Sequence, residues 1–177
     1  EEHDSDSIEY FLVGDSFAHG ACVNRPNDIA SVLRKQTKKG VLNFGYGSHG
    51  PLEELAVLKE YLNKNVKNII WIYYEGNDLI NLQNSYKDIT LKKYLTKKNF
   101  SQNLKHRQDE IDTMGNKIVR DYLNNKQSQI KIINIIKLTK LRSIFMNKIK
   151  RNETVNSNKE NLEIFKDIIE AAVTLSK

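Results

Sequence analysis

Ile8-Glu9-Tyr10-Phe11-Leu12-Val13-Gly14-Asp15-Ser16 is the stretch from which the rest of the chain can be read. A nearly continuous apolar run that stops at a glycine is expected of a short strand buried on both faces of a parallel sheet. Two more runs of this kind follow, Val41-Leu42-Asn43-Phe44 and Asn68-Ile69-Ile70-Trp71-Ile72-Tyr73-Tyr74. Between the first and second, Ile29, Val32 and Leu33 keep helical spacing up to Gly40, which reads as the helix stop. Between the second and third, the turn Gly45-Tyr46-Gly47-Ser48-His49-Gly50 leads into Pro51, with Glu53 and Glu54 beside the positive end of a helix. Leu52, Leu55, Leu58 and Leu62 give that helix one apolar stripe. Strand, helix, strand, helix, strand is the alternation of right-handed crossover units. It predicts an α/β protein with a parallel sheet covered by helices on both faces.

At 177 residues the chain has the length of one domain with a real core. Hydrophobic residues make up 39% and the mean hydropathy is −0.58, and no apolar run approaches the ~20 residues of a membrane span. The start is acidic (Glu1, Glu2, Asp4, Asp6) and no signal peptide is legible, so the compartment stays open, an extracytoplasmic one included. The single cysteine, Cys22, excludes an internal disulfide and offers no metal-ligand spacing; a buried free thiol is expected. The net charge of +6 is unevenly spread. Residues 81–151 hold 17 Lys and Arg against 5 Asp and Glu, leaving 11 against 17 for the remainder. An acidic body with a basic insertion argues against a uniformly basic nucleic-acid-binding domain.

That basic stretch, rich in Lys and Asn, reads as a helical insertion over 81–151 within a single domain of 1–177. Ile111, Met114, Ile118 and Tyr122 have helical spacing, and Leu138, Leu141, Phe145 and Ile149 form a stripe opposite Lys137, Lys140, Arg142 and Lys148. Such a helix suits a lid packed on the body, or contact with a membrane or an anionic polymer. Ser157 and Glu160 have capping-box spacing ahead of a last helix carrying Leu162, Phe165, Ile168, Ile169, Ala172 and Val173.

The chemistry gathers at three places, each just after a strand: Gly14-Asp15-Ser16, the loop from Asn43 to Gly50, and Gly76-Asn77-Asp78. Open parallel sheets place their ligand crevice at these carboxyl ends. A serine at a helix start, flanked by small residues and an asparagine amide, can attack a carbonyl and have the resulting oxyanion stabilised by surrounding N–H groups. Phe11 to Ser16, Asn43 to Leu52 and Tyr73 to Asp78 resemble, in order and spacing, the first three sequence blocks of the SGNH (GDSL) hydrolases. The resemblance covers about the first 80 residues. It implies a three-layer α/β/α, flavodoxin-like sheet and ester hydrolysis with Ser16 as nucleophile. It further implies Asn77 as side-chain oxyanion donor, Ser48 as backbone donor, and Gly14, Asp15 and Asp78 as supports of the turns. The family tendency points to removal of O-acyl groups from a carbohydrate, without metal or organic cofactor.

Two departures from the family pattern stand out. Ser48 occupies a position where the family usually has glycine, and Gly47 is the neighbour to which the donor role would pass if the backbone there does not suit a Cβ. The last block, Asp-x-x-His after two further strands, does not occur: none of His3, His19, His49 and His106 has an aspartate three residues before it. The resemblance therefore implies the front part of such a domain, incomplete at its C-terminus and with little or no activity by itself. Transfer of the acyl group to a sugar hydroxyl at the same site, and a non-catalytic glycan-binding module, are the alternatives; nucleic acid is not an expected partner.

Overall fold

The computed structural model describes residues 8–133 and 154–176, with side chains described over 8–124 and 159–176. The basic stripe around Leu138, Leu141, Phe145 and Ile149 lies outside these residues, as does His3. In chain order the elements are β1 (Ile8–Gly14), α1 (Ser16–His19), α2 (Ile29–Thr37), β2 (Gly40–Asn43), α3 (Pro51–Tyr61), β3 (Asn68–Ile72), α4 (Asp78–Ser85), α5 (Ile89–Thr96), a 3₁₀ turn (Leu104–His106), α6 (Gln108–Ile133) and α7 (Thr154–Leu175). The three strands are parallel in the order β2-β1-β3, so the fold is α/β with β1 in the centre.

Alternation along β1 sends side chains to two separate cores. Phe11 and Val13, paired in register with Ile69 and Trp71 of β3, face α3, α4 and α7, where Leu52, Leu55, Leu58, Leu82, Ile168 and Ala172 are buried. Leu12, in register with Ile70, faces the other way onto Ala18, Ala30 and Val41. With apolar neighbours above and below, the buried part of β1, Phe11 to Val13, has to be apolar throughout, as it is, and Glu9 lies in its less buried first half.

Some boundaries differ from the sequence reading. The first long helix ends at Lys38, whose left-handed φ of 59° closes it with an N–H bond to Arg34 O. Gly40 is instead the first residue of β2. A Cβ there would lie 2.9 Å from Ile8 Cα, so glycine serves close strand approach and not a helix stop. Tyr73 and Tyr74 fall after β3, and α7 begins at Thr154, ahead of Ser157. Cys22 is exposed, not buried, because it lies in the irregular turn after α1 and not in a packed element.

The chain divides into two compact units, Glu1–Gln102 with Asn158–Lys177, and Asn103–Ser157. The body thus reaches beyond the composition change at Asn81: α4 and α5 both pack on α3. Tyr94 of α5 is wholly buried and its hydroxyl donates to Glu60 Oε1 at 2.6 Å. The basic charges on α5 therefore decorate a core helix. The second unit holds α6, which carries Ile111, Met114, Ile118 and Tyr122 as the spacing predicts, the last three exposed. Among the described residues no helix is long and apolar enough to cross a membrane.

Candidate functional site

The turn after β1 is built by small residues. Gly14 has φ +155°, and a Cβ on it would lie 2.7 Å from Ile72 O and 2.8 Å from Ala18 Cβ. Asp15, wholly buried, is the N-cap of α1, its Oδ1 accepting from Phe17 N at 2.8 Å. Ser16 is consequently the first helical residue and not the cap. Its half-buried hydroxyl donates weakly to Asp15 Oδ2 at 3.4 Å, which leaves it available for other chemistry.

The loop after β2 is laid onto this turn. Phe44 N donates to Leu12 O at 2.8 Å and Tyr46 N to Gly14 O at 3.1 Å. Asn43 binds both sides, its Nδ2 donating to Ala18 O and its Oδ1 accepting from Gly45 N, each at 2.9 Å. A Cβ on Gly45 would sit 2.3 Å from His19 N, so only glycine allows the contact. Next comes a tight turn closed by His49 N to Tyr46 O at 3.2 Å, with Ser48 at φ 70°. Positive φ at the third turn position is the type II pattern, which favours glycine there. Ser48 holds it with an exposed side chain, while a Cβ on Gly47 would come 3.9 Å from Ser16 Cβ. The loop therefore reaches Ser16 at Gly47.

The turn after β3 is held by Asp78, wholly buried, whose Oδ2 accepts from Tyr74 N at 2.6 Å. Burial, together with the nearby Asp15, pushes its carboxyl up to about 6 against the Tyr74 bond. Asn77 occupies the N-cap position of α4 without a side-chain capping bond, and its Oδ1 is buried and unpartnered. Asn81 Nδ2 donates to His49 O at 3.2 Å, joining α4 to the second loop, and Phe17 and Tyr74 rings meet at 4.8 Å across the first and third turns.

On the flank of Ser16 opens a cavity of about 180 Å³, lined by Phe17, Cys22, Val23 and Ile29 among others. Among the described residues no histidine hydrogen-bonds to Ser16. His19 is exposed, with Nδ1 3.1 Å from Gly45 O; His49 Nδ1 is buried and unpartnered, and burial lowers its pKa. No group of three or more His, Cys, Asp or Glu among the described residues is arranged to hold a metal ion.

The sequence reading took Glu54 only as an acid beside the positive helix end, not as a site residue. This residue of α3 is wholly buried, and its Oε2 accepts from the indole Nε1 of Trp71. The signal was there: an indole N–H packed against the core needs an acceptor, and Glu54 lies between Leu52 and Leu55. Among the described residues, the buried side-chain atoms without a partner, on His49, Glu54, Asn77 and Asp78, all belong to residues in the loops after the strands or in the first turns of α3 and α4. Unpaired buried polar groups are uncommon in folded proteins, and their concentration marks this edge of the sheet as the candidate site. No family model, curated protein sequence or solved structure matches the chain.

Proposed function

We propose that the chain carries the nucleophile and oxyanion-binding parts of an SGNH-type serine ester hydrolase that removes O-acyl groups from a carbohydrate. The observation that supports this most is the Ser16 turn: Asp15 does the capping, Ser16 keeps its hydroxyl available, and Gly47 lies against it. The order β2-β1-β3 is also the first part of the flavodoxin-like 2-1-3-4-5 order, whose crevice lies at these strand ends. In this reading Ser16 Oγ attacks the ester carbonyl and the carbonyl oxygen takes the negative charge. Asn77 Nδ2 and backbone N–H groups of the second loop, with Gly47 in the place first given to Ser48, stabilise it. The cavity beside Phe17, Val23 and Ile29 has the volume and lining for a short acyl chain. Attack also needs a group that takes the Ser16 proton, which the histidine positions above do not supply.

The test is turnover of p-nitrophenyl acetate by the protein expressed from its complete reading frame. Ser16→Ala is expected to abolish turnover, and Asn77→Ala to lower kcat by roughly 10²-fold with little change in KM. Turnover that survives Ser16→Ala, or its absence from the wild-type protein, removes the hydrolase reading; binding of an acylated glycan without turnover would put the non-catalytic module in its place.

A further inference from the structure

Three carboxyl groups, Asp15, Glu54 and Asp78, are wholly buried at the carboxyl edge of the sheet. Asp15 accepts from Phe17 N and, weakly, from the Ser16 hydroxyl, whereas Glu54 has one donor, the Trp71 indole, and Asp78 one, Tyr74 N. That leaves Glu54 Oε1 and Asp78 Oδ1 buried with no partner. Among the described residues, the charged groups acting on Glu54 are Asp78 from the turn after β3, Asp15 from the turn after β1 and Glu53 from its own helix, all acidic. Buried like charges cannot all stay ionised without a cation, and one proton retained among them turns an orphan acceptor into a donor.

We propose that Glu54 is a positioning residue of this site, an uncharged carboxyl buried at the same sheet edge as Asp15 and Asp78 that ties α3 to β3 through the Trp71 indole. Burial, reinforced by Asp78, Asp15 and Glu53, pushes the Glu54 carboxyl up to about 8 despite the Trp71 bond, so the neutral form prevails at pH 7. The neutral form leaves Trp71 its acceptor on Oε2 and puts a proton where Oε1 has none to offer as a carboxylate. The role concerns how α3 is held on β3 at the site's edge, and stands whether or not Ser16 attacks an ester.

The sign of the pH dependence follows. Folded Glu54 holds its proton above the ordinary value of 4.5, so the folded state binds more protons than the unfolded one between there and about 8. Stability contributed by the neutral group is complete below pH 4.5 and is lost as the pH rises to about 8. Asp78 acts in the same direction over the lower window, from its ordinary 3.8 to about 6.

Trp71 is the sole tryptophan of the chain, so its emission reports on Glu54 directly. Wild-type emission is expected to titrate with a midpoint near 8 while Tm falls toward that pH. Glu54→Gln keeps an acceptor for the indole and is uncharged at every pH. It is expected to fold, with an emission flat between about pH 6 and 9 and a Tm that no longer falls over that range. Asp78→Asn, which removes one neighbouring charge and keeps an acceptor for Tyr74 N, is expected to move the wild-type midpoint down. Wild-type emission that is flat over the range, a titration that persists in Glu54→Gln, or a midpoint unmoved by Asp78→Asn overturns the proposal, the last two independently of each other. Esterase assays have no bearing on any of these outcomes.

Discussion

The two faces of the sheet are built in opposite styles. Toward α3 and α7 the contacts come from large side chains, Phe11, Leu52, Leu55, Leu58 and Ile168, each at most 1% exposed. Toward α1 and α2 the sheet's Leu12 and Val41 meet small residues from the helices: Ala18 and Ala30 are buried, with Gly14 and Gly45 close against Ala18, while Ile29 and Val32 of α2 stay 42% and 40% exposed. Large side chains contribute most of the burial free energy but hold backbones apart. Alanine and glycine contribute little burial and let backbone meet backbone, as at Gly45 and His19. The candidate nucleophile stands on the second face, where close approach sets where each N–H points. One face supplies stability and the other supplies position.

This division can be attacked from either side. The largest effect is expected from Leu55→Ala, which empties a fully buried position on the leucine face and should lower unfolding stability by roughly 2–5 kcal/mol in urea titration. A loss below ~1 kcal/mol would mean that face is not the source of stability. Ala18→Val comes next: its methyls have to enter the space shared with Gly14 and Gly45, at a cost of roughly 1–3 kcal/mol and with amide NMR shifts reaching Gly14 and Gly45. Shifts confined to α1 would show that the small-residue packing does not set the turn. Smallest should be Ile29→Ser on the exposed side of α2, under ~1 kcal/mol by the same titration because little burial is lost. A cost matching that of Leu55→Ala would show that the second face is closed after all.

How much of this could be read from sequence depended on what kind of neighbour each residue met. The central strand was legible because burial leaves almost no polar residue in it, the half-buried edge strands because of their short apolar runs, and the leucine stripe of α3 because its period matches the helix. Asp15 and Asp78 stood out by position after a strand, and both do hold their turns through backbone N–H bonds. Glu54 was hidden because α3 is buried over more than one stripe: Pro51, Leu52, Glu54, Leu55, Ala56 and Leu58 are all covered. A single-stripe reading assigns such a carboxylate to solvent. The extent of the body was hidden for a related reason, since α5 carries Lys92 and Lys93 on a helix whose Tyr94 is core. Local composition records the solvent side of a helix as well as its inner side, and only tertiary contact separates the two. At Ser48 the reading depended on φ, which no residue pattern states.

Cys22, exposed on the wall of the cavity beside Ser16, makes this region experimentally addressable without engineering. Because the chain has no second thiol, a maleimide dye or a nitroxide spin label added to the wild-type protein attaches at one known point. Whatever enters or leaves that cavity then changes the signal of a probe already in place.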